Sequence, residues 1–190
     1  METILPFVGC LFLAYLLGSI PFGKIVGLRM GIDIQKKGSG NIGFANSVRV
    51  LGWKAGIIVL VGDVLKGFLP SLLAVHVLSF QQALVVGLVA ILAHIFPIWL
   101  KFKGGKGIAT GLGITLAIQP LVGLCGFAMY IAVYLVAKKS APSSVLAAWS
   151  LILFSLLFAP RYAGFALILA LLATWTHRTN LQKHLKARRA

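Results

Sequence analysis

Carboxylates are nearly missing from this chain. Of its 190 residues only Glu2, Asp33 and Asp63 are acidic, against 18 Lys and Arg, and the formal net charge is +15. Charge of either sign is scarce. Only 11% of residues are charged, where a soluble domain carries about a quarter. Cysteine is scarce as well. Cys10 and Cys125 lie inside apolar runs, with no C-x-x-C and no metal-ligand spacing, and read as small buried apolar residues. A basic n-region is absent. Met1-Glu2-Thr3-Ile4-Leu5-Pro6 does not have the form of a signal peptide, so the apolar stretch after it is expected to be retained as a first span.

Apolar surface is what the chain has in excess: 59% of residues are hydrophobic and the mean hydropathy is +0.99. One water-soluble core cannot absorb that much, and lipid is the solvent such a chain requires. The basic residues could suggest nucleic acid. They stand in short loops between apolar runs, however, and not on one soluble face, so no nucleic-acid partner is expected.

The runs cover Leu5 to Val26, Gly52 to Leu78, Ala83 to Leu100, Ile108 to Ala137, Pro142 to Ala159 and Tyr162 to Thr176. The polar stretch Gly27 to Leu51 and the link Ser79-Phe80-Gln81-Gln82 separate the first three. Ile108 to Ala137 as one helix would extend about 45 Å, against a hydrocarbon core of about 30 Å. Gln119-Pro120 divides it, since proline suits a helix start. That makes seven spans. The first, third and fifth loops and the tail hold four, three, two and five Lys or Arg, and the links between them none, none and one, Arg161. The alternation places the N-terminus outside and the C-terminus in the cytoplasm. The expected fold is an all-α membrane protein, a seven-transmembrane helix bundle forming one domain over residues 1–190. Gly23/Gly27, Gly52/Gly56 and Gly107/Gly111 have small-x-x-x-small spacing, which close helix packing explains for the first two pairs. No inverted repeat of a two-halved transporter is visible.

Two loops carry chemistry. The first contains Gly38-Ser39-Gly40-Asn41-Ile42-Gly43, a literal G-x-G-x-x-G with Asp63 twenty residues past Gly43. A dinucleotide fingerprint needs a preceding strand and a soluble βαβ unit, which this chain lacks. The backbone physics remains: a glycine-rich turn can converge N–H groups on an anion, with Ser39 and Asn41 adding donors. A helix after Gly43 would put Asn46 and Arg49 on one face. The alternative is a flexible loop ending in a helix cap. The second loop sets Lys101, Lys103 and Lys106 around Gly104-Gly105 and Gly107 and runs straight into a helix. N–H groups, helix dipole and lysine then point at one place, as phosphate requires. It is not a Walker A loop, because Gly107 follows Lys106. In the tail His177 and Asn180 share a helical face. Asp63 and Lys66, at i, i+3 within the second span, are expected to pair, since an isolated charge there costs roughly 2.5–3.5 kcal/mol. His76 and His94 read as structural, with His94 the better functional candidate.

The motifs Gly38-Ser39-Gly40-Asn41-x-Gly43-x-x-Asn46-x-x-Arg49, Asp63-x-x-Lys66-Gly67, His94-x-x-Pro97, Phe102-Lys103-Gly104-Gly105-Lys106-Gly107-x-Ala109-Thr110 and His177-Arg178-x-Asn180, in this order, resemble the bacterial acyl-phosphate:glycerol-3-phosphate acyltransferases. The resemblance covers nearly the whole chain and is similar in its seven-span, N-out plan. It implies transfer of a fatty acyl group from acyl phosphate to the 1-hydroxyl of glycerol 3-phosphate, giving lysophosphatidate and phosphate, without acyl-CoA or acyl carrier protein. It implies a multi-pass protein of the bacterial inner membrane, its site facing the cytoplasm. No cofactor and no metal are expected, and the soluble enzyme that makes acyl phosphate is a candidate partner. The H-x-x-x-x-D motif of other glycerol-phosphate acyltransferases is missing: Gln81, Trp99 and Gln182 stand five residues after His76, His94 and His177.

Carried over by motif, the catalytic candidates are Ser39, Asn41, Arg49, Lys106 and His177. The substrate-binding candidates are Gly38, Gly40, Gly43, Asn46, Gly104, Gly105, Gly107, Ser144 and Asn180. Three positions depart from the family pattern. Ala45 replaces a threonine, and Lys139 and Ala141 stand where a Tyr-x-Ser is usual, with Ser144 matching nearby. A mixed anhydride needs little beyond alignment and charge neutralisation. Lys106 and Arg49 would hold phosphate, Ser39 and Asn41 would orient the donor, and His177 or the donor's own phosphate would accept the proton. The alternatives are a transporter or channel for a phosphorylated metabolite, and an inactive membrane relative of the enzyme.

Overall fold

The computed structural model describes residues 4–189, with side chains described through residue 182; Glu2 lies outside them. Nine α-helices, and no strand, occur among the described residues: α1 Ile4–Ser19, α2 Phe22–Arg29, α3 Phe44–Leu51, α4 Trp53–Val77, α5 Phe80–Ile95, α6 Ile108–Ile118, α7 Pro120–Ala137, α8 Ser140–Phe158 and α9 Ala163–Arg189.

Local chemistry explains where these boundaries differ from the hydropathy runs. Leu5 to Val26, expected as one span, breaks at Ile20-Pro21. Pro21 has no N–H to give, and it pushes Ile20 out of helical geometry. The link expected at Ser79-Phe80-Gln81-Gln82 is instead the start of α5. Ser79 Oγ accepts from the Gln82 N–H at 3.4 Å, and Gln82 Oε1 accepts from the Ser79 N–H at 3.1 Å, a reciprocal capping box. Pro120 occupies the first turn of α7, as its chemistry favours. The polar stretch expected from Gly27 to Leu51 holds a 3-10 turn, Ile34–Lys36, and the amphipathic α3. The tail beyond Thr176 continues α9 without a break.

Five segments are long and apolar enough to cross a bilayer: Ile4–Arg29, Trp53–Val77, Phe80–Leu100, Pro120–Ala137 and Ser140–Phe158. With 11 residues, α6 rises only about 16 Å, and α9 joins an apolar half to a basic one. Length and composition thus support an integral membrane protein with five spans and do not by themselves reach seven.

The chain forms two compact units, one ending at Ile118 and one beginning at Gln119. In the first, glycine sets the helix spacing. A Cβ on Gly113 would overlap the Val64 carbonyl, one on Gly67 the Thr110 carbonyl, and one on Gly18 would come within 2.5 Å of the Ala90 carbonyl. So α4 meets α6, and α1 meets α5, nearly backbone to backbone, the small-residue packing available to helices in lipid. The pairs picked out by spacing serve differently. Gly23 lies against the Ile42 carbonyl in the following loop and Gly27 against that of Ile32, whereas Gly56 lies against Val48 of α3. In the second unit α7, α8 and α9 pack in sequence, and Trp149 Nε1 donates to Thr174 Oγ1 at 3.0 Å. Tyr162, at the turn into α9, is fully buried.

Candidate active site

The loop from Met30 to Gly43 is built around its own polar atoms. Asp33 caps the 3-10 turn by accepting from the Gln35 N–H at 3.1 Å, and pairs with Lys24. The hydrogen bond from Lys24, with the Gln35 amide adding to it, holds the Asp33 carboxyl below the usual carboxylate range. Ile34 and Ile42 are buried and pin the loop to a small apolar cluster with Leu51 and Ala55. Between them the chain turns at Gly38 and Gly40, with φ of 59° and 73°, a region that side chains other than glycine rarely adopt.

Asn46 holds this turn. Its Nδ2 donates to the carbonyls of Asn41 at 2.9 Å, Lys37 at 3.1 Å and Ile34 at 3.4 Å, and its Oδ1 accepts from the Ser39 N–H at 2.8 Å. Expected on sequence grounds to bind substrate, Asn46 is 1% exposed and spends its amide on the loop. It also accepts from Arg49 Nη1 at 3.4 Å, one turn along α3, as their spacing predicts. Ser39 and Arg49 are exposed on this frame, and Asn41 is half-buried with its N–H 3.5 Å from Ser39 Oγ.

The second loop, between α5 and α6, is knitted as tightly. The Phe102 N–H donates to the Pro97 carbonyl at 3.0 Å and the Lys103 N–H to that of Leu100 at 3.1 Å. This closure forces Lys101 and Phe102 to φ of 50° and 61°, a conformation that costs about 1–3 kcal/mol at each such residue. The Gly104 N–H then donates to Ile95 at 3.0 Å and the Gly105 N–H to His94 at 3.1 Å. These two glycine N–H groups, expected to be free for an anion, are therefore engaged. Their glycine identity has another cause: a Cβ on Gly104 would overlap the His94 carbonyl, and one on Gly105 the His94 imidazole. The pair lets the loop lie flat on the end of α5. Gly107, at φ 82°, turns the chain into α6. The N–H groups of the first turn of α6 have no partner within the helix, because the first intrahelical bond is Gly111 N–H to Gly107 at 2.7 Å. Lys106 stands at that turn, half-buried, and burial pushes its ammonium down to about 8.

The two loops meet. Gln35 Nε2 donates to the Lys103 carbonyl at 3.2 Å. Beneath the second loop lies a sealed polar cluster. Lys66 Nζ stands 2.8 Å from Asp63 Oδ1 and donates to the Ile20 carbonyl at 2.7 Å, the carbonyl exposed by the break at Pro21. His94 Nδ1 is 3.6 Å from the same Asp63 oxygen. None of the three exceeds 3% exposure. The pairing expected of Asp63 and Lys66 is present. The support that His94 gives to Gly105 was not legible from spacing, and its one signal is His94-x-x-Pro97 shortly before a Gly-Gly pair.

The first unit thus brings Ser39, Asn41 and Arg49 into one loop system with Gly104 to Gly107. His177, Asn180 and Ser144 belong to the second unit and are placed within it. His177 is buried on α9, and its Nδ1 donates to the Ala173 carbonyl at 2.8 Å. A carbonyl only accepts, so in the neutral ring Nε2 is the basic nitrogen. Asn180 follows one turn on, half-buried, and Ser144 is buried on α8. No group of three or more His, Cys, Asp or Glu occurs among the described residues. The described carboxylates are both committed, Asp33 to Lys24 and Asp63 to Lys66. The joined loops are therefore cationic, their one acid, Asp33, being paired with Lys24, and suited to a dianion.

Residues 8–187 match the family model described as glycerol-3-phosphate acyltransferase. The chain is 44% identical over 174 residues to the glycerol-3-phosphate acyltransferase of Myxococcus xanthus, covering 89% of this chain and 91% of that one. It is 38% identical over 181 residues to the Aquifex aeolicus protein of the same name, covering 92% and 93%. Among solved structures it is similar to PlsY (YgiH), an integral membrane glycerol 3-phosphate acyltransferase. The glycerol 3-phosphate form matches with a TM-score of 0.92 at 35% identity, covering 96% of this chain and 94% of that one. The lysophosphatidic acid form matches with a TM-score of 0.90.

Proposed function

The chain belongs to the glycerol-3-phosphate acyltransferase family, and on that premise we propose that it transfers a fatty acyl group from acyl phosphate to the 1-hydroxyl of glycerol 3-phosphate. The observation that carries this reading is the joined pair of cationic loops, with Arg49 after the first, Lys106 at the α6 helix start after the second, and no uncommitted carboxylate among the described residues. Such a site holds a phosphate monoester and offers no side-chain acid for hydrolysis. The hydroxyl oxygen attacks the acyl carbonyl carbon, the bond from that carbon to the phosphate oxygen breaks, and phosphate leaves with the electron pair. The hydroxyl proton passes to the departing phosphate; the resemblance offers His177, whose Nε2 is the basic nitrogen, as the alternative acceptor. Lys106, Arg49 and the first turn of α6 neutralise phosphate charge, and Ser39 and Asn41 orient the donor. Gly38, Gly40 and Gly43 shape the first loop, Gly104, Gly105 and Gly107 the second. Asn46, assigned to substrate by the resemblance, positions the others by holding the first loop. Asn180 and Ser144 are assigned to substrate by the resemblance.

The same reading makes this a seven-span protein of the bacterial inner membrane, N-terminus outside and site toward the cytoplasm, where a soluble acyl-phosphate-producing enzyme could deliver the donor. The test uses purified protein with palmitoyl phosphate and labelled glycerol 3-phosphate. Lysophosphatidate and an equal amount of phosphate are expected, unchanged by EDTA and abolished by Lys106→Met. Label crossing proteoliposomes without acyl phosphate, and no lysophosphatidate formed, would make it a transporter. Neither event would make it an inactive relative.

A further inference from the structure

A cavity of about 600 Å³ opens where α2 ends and α3 turns into α4. Pockets of this size accommodate small molecules or part of a lipid. None of the candidate catalytic or substrate-binding residues lines it. Its lining is apolar at Val26, Met30, Leu51 and Ile58. It also includes two cations, Arg29 and Lys54, and Trp53, which is 63% exposed and packs edge-on against Phe44. Gly52 turns the corner at φ 88° with no side chain to close the opening.

Neither cation has a carboxylate to meet. Asp33 and Asp63, the acids among the described residues, are held by Lys24 and Lys66, and among those residues Arg29 and Lys54 make no ion pair. Two uncompensated cations facing one cavity attract an anion from outside the protein. The apolar lining favours one that carries hydrocarbon. The place favours a bilayer molecule, because Trp53 and Lys54 begin a 25-residue apolar helix, the level at which tryptophan and lysine meet lipid headgroups.

We propose that this cavity binds one anionic phospholipid of the surrounding bilayer, its phosphate between Arg29 and Lys54 and an acyl chain along Met30 and Ile58. Such a lipid would brace the turn joining α3, which carries Asn46 and Arg49, to α4, which carries Asp63 and Lys66. The binding is independent of the acyl-transfer chemistry and is measured without substrates.

The test is native mass spectrometry of the full-length protein in detergent with equimolar phosphatidylglycerol and phosphatidylcholine. Wild type should retain one phosphatidylglycerol in preference to phosphatidylcholine. Two cations near an anionic headgroup correspond to a preference of about thirtyfold. R29Q/K54Q should lose that preference. K36Q/K37Q, which removes the same charge elsewhere on the surface, should keep it. Both variants should match wild type in thermal midpoint in phosphatidylcholine alone, so that loss of lipid is not loss of fold. A preference that survives R29Q/K54Q, or falls equally in K36Q/K37Q, overturns the assignment. Full displacement by millimolar inorganic phosphate would make this a simple anion site. Retention of lysophosphatidate but not phosphatidylglycerol would make it a product site. Either result also overturns the bilayer-lipid assignment.

Discussion

Replacing Gly105 by alanine isolates what the Gly-Gly pair does. Gly105 is not in the left-handed region, so alanine there carries no backbone penalty. The cost is steric: the new Cβ overlaps the His94 imidazole, which is 2% exposed beside Asp63. Overpacking a filled site costs about 1–3 kcal/mol. If the loop lifts instead, it forfeits the bonds from Gly104 to Ile95 and from Gly105 to His94, each worth about 0.5–1.5 kcal/mol. Either route removes about 1–3 kcal/mol from the loop geometry, about five- to a hundred-and-fiftyfold. Lys106 is the next residue, so the loss should appear mainly as a raised KM for glycerol 3-phosphate. The decisive assay is a double-mutant cycle with His94→Ala. That change deletes the ring and keeps the carbonyl that accepts from Gly105, so Gly105→Ala should cost less in the His94→Ala background, with a coupling of about 1–3 kcal/mol. Strictly additive losses in kcat/KM would refute the contact between loop and imidazole as the reason for glycine.

Three further outcomes follow from the same geometry. Asn46→Asp keeps the acceptor for Ser39 but turns a carboxylate toward three carbonyls. It should raise KM more than tenfold and open residues 36–43 to limited proteolysis, whereas Ser39→Ala should lower turnover and leave proteolysis unchanged. Burial lowers Lys106 to about 8. Below that pH it is cationic and phosphate binding is complete; above it KM should rise about tenfold per pH unit. The unliganded fold should respond oppositely, its stability rising between about pH 8 and the unfolded value near 10.4, because the folded state gives up that proton first; chemical-denaturation curves across pH 7–10 test both signs. Asp63→Asn or Lys66→Met alone strands a buried group and should cost about 3–5 kcal/mol, while the double change should cost clearly less, as read by thermal midpoints in one detergent.

How much of this was legible in the sequence depends on what decided each feature. Hydropathy placed the long helices because lipid burial is a composition effect, and Pro120 divided α6 from α7 because a missing N–H acts locally. The break at Pro21 was equally local, but inside a continuous apolar run it left no trace in hydropathy. The first turn of α5 was masked by two glutamines, of which Gln82 serves the capping box. At the site, residue types pointed to phosphate and the motifs to a family. They could not separate a glycine whose N–H faces a ligand from one whose missing Cβ lets two backbones meet. Gly104 is of the second kind and Gly105 makes room for a ring, and only the position of His94 says so. Asn46 repeats the point: an amide beside an arginine reads as a ligand contact until three carbonyls are found around it.

The shortage of carboxylates, which first distinguishes the sequence, also constrains the energetics. With Asp33 given to Lys24 and Asp63 to Lys66, no described acid remains to balance Arg49, Arg29 or Lys54. An acid beside the site would compete with substrate phosphate for the same cations, so each carboxylate removed strengthens binding of an anionic ligand. The cost falls on the empty protein, whose like charges repel and whose half-buried Lys106 is discharged more easily than a free lysine. Ligand phosphates then act as missing counter-ions, and binding them stabilises the fold by mass action. The two paired acids escape this trade because they are spent on architecture. Asp33 shapes the first loop, and Asp63 holds Lys66 against the carbonyl that Pro21 freed, beside the histidine on which the second loop rests. The acids here act on the reaction by holding the cations' loops in place, and replacing either should disturb substrate binding without touching the chemistry.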